Sequence, residues 1–217
     1  MFREYMSAAY YQSSCGFCLE DYSGGIMMET DRFEAFIDAI LAIIITIIVL
    51  EIPLASSGSW EALYELRYEF IIYAVSFIVC FNFWNYNNNL FSIVNKIDYK
   101  VIWTMGITLF IFSLLPYFTT FVGENFHQFI PQFIYGLCFI ITAILSMFIG
   151  KSVKEADPAN IALQLALSNH YPMYATIIIV SIGIIIGYFI YPPAIIACCL
   201  ISIIGVWFIP KIQYYLK

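Results

Sequence analysis

The chain has 217 residues, 62% of them hydrophobic and 11% charged, whereas soluble domains are about 45–50% apolar and about 25% charged. That excess excludes a water-soluble globular protein, because only lipid can accommodate so much apolar surface. A net charge of -6, from 9 Lys+Arg against 15 Asp+Glu, excludes a basic nucleic-acid binder, since nothing would neutralise a run of phosphates.

Residues 1–30 lack the apolar core of a secretory signal and hold too few hydrophobic residues to anchor the chain. They read as a disordered cytoplasmic leader, followed by a membrane domain over residues 31–217. Cys15 and Cys18 form a lone CxxC there, without the second ligand pair that a zinc site needs. Met27 and Met28 directly precede Glu29-Thr30-Asp31-Arg32 and offer an alternative translation start.

Six apolar stretches then read as membrane-crossing segments: Phe33–Ile52, Phe70–Leu90, Val101–Val122, Phe129–Ile149, Met173–Tyr191 and Ala194–Ile209. Their Ile and Val content would favour strands in water, but a backbone in hydrocarbon must satisfy its hydrogen bonds within the segment, which predicts helices. The fold class expected is therefore an all-α integral membrane protein with six transmembrane helices. Short polar connections join them, at 53–69, 91–100, 123–128 and 150–172, with a sharp Tyr191-Pro192-Pro193 break before the last. Within the fourth connection, Ala159–Leu167 is either an extra helical turn or an interfacial piece. Cys80, Cys138, Cys198 and Cys199 fall inside apolar runs and act as small packing side chains.

Orientation follows from the cations. Arg3, Arg32, Lys96, Lys100, Lys151, Lys154, Lys211 and Lys217 fall on one side of a six-span layout and Arg67 alone on the other, which predicts cytoplasmic termini. The outer side carries Glu51, Glu61, Glu65, Glu69 and Glu124. These acids either concentrate cations at an external mouth or are ordinary solvated loop charges.

Asp38 is the acid lying well inside a span, about five residues, or about 7 Å, from its inner end. Arg32, six residues back, lies on another helix face, so the partner of Asp38 is expected from another span. The second span ends in Trp84, Asn85, Asn87, Asn88 and Asn89 at a similar depth. A buried polar cluster is expected there, and a structural knot suits it better than a proton relay, because amides do not titrate.

The run Arg32-Phe33-Glu34-Ala35-Phe36-Ile37-Asp38 resembles the Arg-x-x-x-Phe-Ser-Asp signature of the transmembrane protein 175 family, potassium channels of prokaryotic membranes and of eukaryotic endosomes and lysosomes. The following Ala42 to Pro53 is similar to the rest of that family's first helix. Tyr73-Ala74-Val75-Ser76-Phe77 with Trp84, and Ser113 to Thr120, resemble its second and third helices. The likeness covers Thr30 to Lys217 and is strongest over the first three helices. Ile37 replaces the signature Ser, and Asn87 and Asn88 stand where the family commonly has His.

The resemblance implies a homotetramer of the single six-helix prokaryotic type, in which the first helix lines the pore and Ile43, Ile47 and Leu50, with Thr46 beside them, form its narrowest layers. It implies a structural polar network of Arg32, Phe36, Asp38, Trp84, Asn87 and Asn88. Offsets of 0, +3, +4 and +7 independently place Ile43, Thr46, Ile47 and Leu50 on one helical stripe, although lipid or core packing would use the same residues. No stretch resembles a Thr-Val-Gly-Tyr-Gly filter, so preference for potassium over sodium is expected to be modest.

The expected function is thus a potassium-permeable cation channel of a cell membrane, with K+ as permeant ion, no further cofactor or metal, and the bilayer and its own copies as partners. The competing reading is a secondary transporter with Asp38 as a proton- or cation-coupling acid. An enzyme is not expected: His127 and His170 stand outside any metal or hydrolase pattern, although His127 at the external mouth suits a pH sensor.

Overall fold

The structure is a computed structural model that describes residues 30–168 and 171–208. The expectations for the leader, Cys15, Cys18, Met27, Met28, His170, Lys211 and Lys217 fall outside those residues. The regular structure described is helical throughout, as the need for internally satisfied backbone groups dictates.

Helix α1, Thr30–Leu50, ends three residues before Pro53. The connection expected as an irregular loop holds a short helix, α2, Trp60–Glu65, capped by the Ser59 hydroxyl accepting from the Ala62 N–H. Helix α3 spans Arg67–Phe91. The third span is two helices, α4 (Tyr99–Ser113) and α5 (Leu115–Glu124), broken at Leu114. Pro116 causes the break: it has no N–H to donate, and the Leu114 N–H turns to the carbonyls of Ile111 and Phe112. The buried face nevertheless continues through Val101, Met105, Thr108, Phe112, Leu115, Thr119 and Val122, so the axis bends without rotating its packing stripe.

Helix α6, Phe129–Ala156, continues seven residues past the expected end. Its added turns carry Glu155, which lies 3.1 Å from Lys100 and 4.0 Å from Lys151. Helix α7, Ile161–Ala166, settles the ambiguous segment as a short helix, capped by Asn160. Helix α8 is Tyr171–Phe189, and α9 is Ala194–Ser202, continued by a π-helical stretch over Ile203–Phe208. Among the described residues five helical segments are long and apolar enough to cross a membrane, and a further apolar one, Ala194–Gly205, is shorter.

Lipid tails are as apolar as leucine, so burial alone gives helices no reason to associate; close packing and internal hydrogen bonds do. Both are present. Gly136 on α6 and Gly183 and Gly187 on α8 let those helices approach α9: a Cβ at Gly183 would stand 2.7 Å from the Cys198 Cβ, and one at Gly187 would stand 2.7 Å from Ile195. In the middle of the bundle the buried Ser76 hydroxyl lies 2.7 Å from Thr119 Oγ1 and 3.0 Å from the Tyr135 hydroxyl, joining α3, α5 and α6. At the cation-rich end, Asn95 and Asn160 both donate to the buried carboxylate of Asp157, while Asn160 also donates to the Ile93 carbonyl.

Helix α1 packs on α3, α4 and α5, whereas α6, α8 and α9 form the other side of the subunit. It stands at an edge, with one face inward and the other uncovered.

Replacing Gly183 by Ala should force α8 from α9 and lower stability by about 1–3 kcal/mol, as overpacking does. Thermal unfolding of the purified protein checks this. The double variant Gly183→Ala/Cys198→Gly, which removes the opposing Cβ, should recover part of the loss.

Candidate functional site

The edge position of α1 divides its residues sharply. Phe33, Ile37, Leu41, Ile44 and Ile48 are buried against the subunit, a stripe repeating at three to four residues. Ile43, Ile47 and Leu50 are 57%, 38% and 79% exposed, and Thr46 is exposed beside them. The Thr46 hydroxyl donates to the Ile43 carbonyl at 2.8 Å, so its proton is committed to the backbone and its remaining lone pairs are free to accept. Arg32 and Phe36 are also exposed. Phe36 precedes Ile43 by seven residues and Arg32 by eleven, close to two and three helical turns, so both continue the same face toward the cation-rich end.

The polar residues divide in a way that depth alone does not specify. Trp84 Nε1 donates to Asp38 Oδ1 at 2.9 Å, the one side-chain hydrogen bond between α1 and another helix among the described residues. Asp38 itself is exposed in the subunit. Arg32 makes no ion pair among the described residues. The asparagines do not gather into a buried cluster. Asn87 is buried and donates to the Phe83 carbonyl of its own helix, Asn88 is exposed, and Asn89 bonds back to Asn85. The reason is rotational: successive residues of a helix point about 100° apart, so a run of amides cannot face one neighbour. Ile37, at the signature's Ser position, is 2% exposed and fills apolar packing.

At the opposite end, Glu51, Glu61, Glu65 and Glu124 are exposed around the connections. The Arg67 guanidinium lies over the rings of Tyr64 and Tyr68, at 4.6 and 4.2 Å, and does not pair with these acids. His127 Nε2 is 3.1 Å from the Tyr68 hydroxyl. Among the described residues no group of three or more His, Cys, Asp or Glu side chains is arranged to hold a metal ion.

Residues 32–116 match the family described as the endosomal/lysosomal potassium channel TMEM175. A potassium channel of a Chryseobacterium strain is 33% identical over 165 residues, which cover 76% of this chain and 85% of that protein. A potassium channel of Chamaesiphon minutus is 28% identical over 140 residues, covering 59% of this chain and 68% of its own. The fold is similar to the crystal structure of a lysosomal potassium-selective channel TMEM175 homolog from Chamaesiphon minutus, with a TM-score of 0.61 and 21% identity over 80% of this chain and 94% of that one.

Replacing Asp38 by Ala leaves the Trp84 N–H without its acceptor, whereas Asp38→Asn keeps an oxygen in place. The alanine variant should be less stable by about 1 kcal/mol and the asparagine variant close to the parent, as read from thermal unfolding in detergent.

Proposed function

Because the chain belongs to the transmembrane protein 175 family, a family of channels and not of enzymes, we propose that it conducts potassium ions across a cell membrane, along a path lined by α1 from four copies. The observation that carries this reading is the uncovered stripe of Ile43, Thr46, Ile47 and Leu50 on a helix whose opposite face is packed. One such helix cannot enclose a conduit, and the described residues hold a single set of spans, so in this reading copies supply the remaining walls.

Helices packed about 8–10 Å apart leave little room between facing branched side chains. Rings of Ile43, Ile47 and Leu50 would expel water from the narrow path and close it by dewetting. When the path widens, methyl groups offer an ion no substitute for its hydration shell, so the ion that sheds water more cheaply passes more readily. Potassium holds its shell less tightly than sodium, which sets the direction of preference and keeps it modest. Thr46 adds the only oxygen on the stripe, with lone pairs available to a passing cation.

Arg32 and Phe36 would stand at the cytoplasmic mouth, where the cation-rich end is placed by the bias of Lys and Arg toward the inner side. Glu51, one residue past Leu50, would stand at the outer mouth and raise the local cation concentration. Asp38 serves in this reading as the acceptor that fixes α1 to α3 through Trp84. No observation singles it out as a coupling acid of a transporter.

Changing Ile43 to Asn should put amides in the narrowest layer and raise sodium permeability relative to potassium. Reversal potentials of the purified protein in planar bilayers, with potassium on one side and sodium on the other, measure that ratio. An unchanged ratio would remove Ile43 from the selective layer.

A further inference from the structure

A half-open cavity of about 60 Å³ lies between α3, α4, α6, α8 and the π-helical stretch, with no residue of α1 in its lining. Its lining runs from Met173, two residues inside α8 at the cation-rich end, to Phe112, thirteen residues into α4. At helical rise Phe112 therefore lies about 20 Å along α4 from its start.

Most of its wall is apolar, but of the five polar side chains that line it, Asn82, Tyr86, Thr142, Ser146 and Thr176, four have complementary needs. The hydroxyls of Thr142, Ser146 and Thr176 donate to the carbonyls of Phe139, Thr142 and Pro172 at 2.8–2.9 Å. Their protons are committed, and each oxygen presents only acceptor capacity to the cavity. Asn82, on α3, has two amide protons and a carbonyl oxygen with no hydrogen-bond partner among the described residues. An unpartnered amide at this depth is costly in hydrocarbon, and an acyl chain end entering the cavity would leave it so.

A ligand that both donates and accepts, and is small enough, satisfies all four groups. We propose that each subunit binds water in this cavity, held between Asn82 and the hydroxyls of Thr142, Ser146 and Thr176. About 10–15 Å³ of such space holds one water molecule, so the volume admits several. The site is independent of the α1 stripe and stands whether or not that stripe lines a conduit. A second, smaller cavity of about 10 Å³ shares Val79, Phe112, Phe139 and Thr142 with the first and is lined by Tyr135.

X-ray radiolysis of the intact protein in lipid nanodiscs, read by mass spectrometry, tests this directly, because hydroxyl radicals made from bound water oxidise the side chains touching it. Phe112 and Phe91 are both 2% exposed, but only Phe112 lines the cavity. Phe112 should be oxidised several-fold faster than Phe91, and Asn82→Leu should bring the two rates together while Asn82→Ser retains part of the difference. Equal rates in the parent protein, the result that an acyl chain in the cavity would give, overturn the proposal without recourse to either variant. A fast Phe112 that persists in Asn82→Leu overturns the assignment of Asn82 as the residue that holds the water.

Discussion

Hydrocarbon supplies no solvent for a stray hydrogen bond and no net drive to bury one apolar side chain against another, and the architecture follows from that pair of facts. The backbone closes its own hydrogen bonds along each span. Association between spans is left to contact quality, which is why glycines sit where α6 and α8 meet α9, and why side-chain hydroxyls in the interior find one another or a nearby carbonyl. Ser76, Thr119 and Tyr135 do the first; Thr108, Ser146 and Thr176 do the second.

The same constraint separates two kinds of surface that look alike by composition. The inner stripe of α1 and its outer stripe are both aliphatic, and hydropathy cannot tell them apart. What distinguishes them is position: among the described residues α1 packs mainly on α3, α4 and α5, so one stripe is claimed by the chain's own helices and the other is left for lipid or for further copies. Membership of a channel family is the ground for proposing copies there, and the chemistry of the stripe, methyl groups with one hydroxyl, would then limit what kind of selectivity it could exert.

Much of the fold was legible in the amino-acid sequence. Runs of about twenty apolar residues marked the long helices, and the 0, +3, +4, +7 spacing placed Ile43 and Leu50 on one face of α1. Helix α2 was also visible in principle, since Ser59 followed by Trp60 and Glu61 is a capping pattern, but its six residues lie inside a loop already rich in turn formers. What periodicity could not reveal is how each helix is rotated relative to its neighbours. That rotation decides that Trp84 reaches Asp38 while Asn87 turns inward to its own helix, that Ser76 meets two hydroxyls from other spans, and that Asn82 faces a cavity. These pairings join residues 43 to 59 positions apart, and a single chain carries no record of them.

The indole bonded to Asp38 has one more use. Tryptophan emission responds to the polarity and hydrogen bonding around the ring, and Trp84 makes the one side-chain hydrogen bond from another helix to α1 among the described residues. Displacing the first helix therefore changes the surroundings of a natural fluorophore, and the protein carries, without any added dye, an optical reporter of whether that helix is seated.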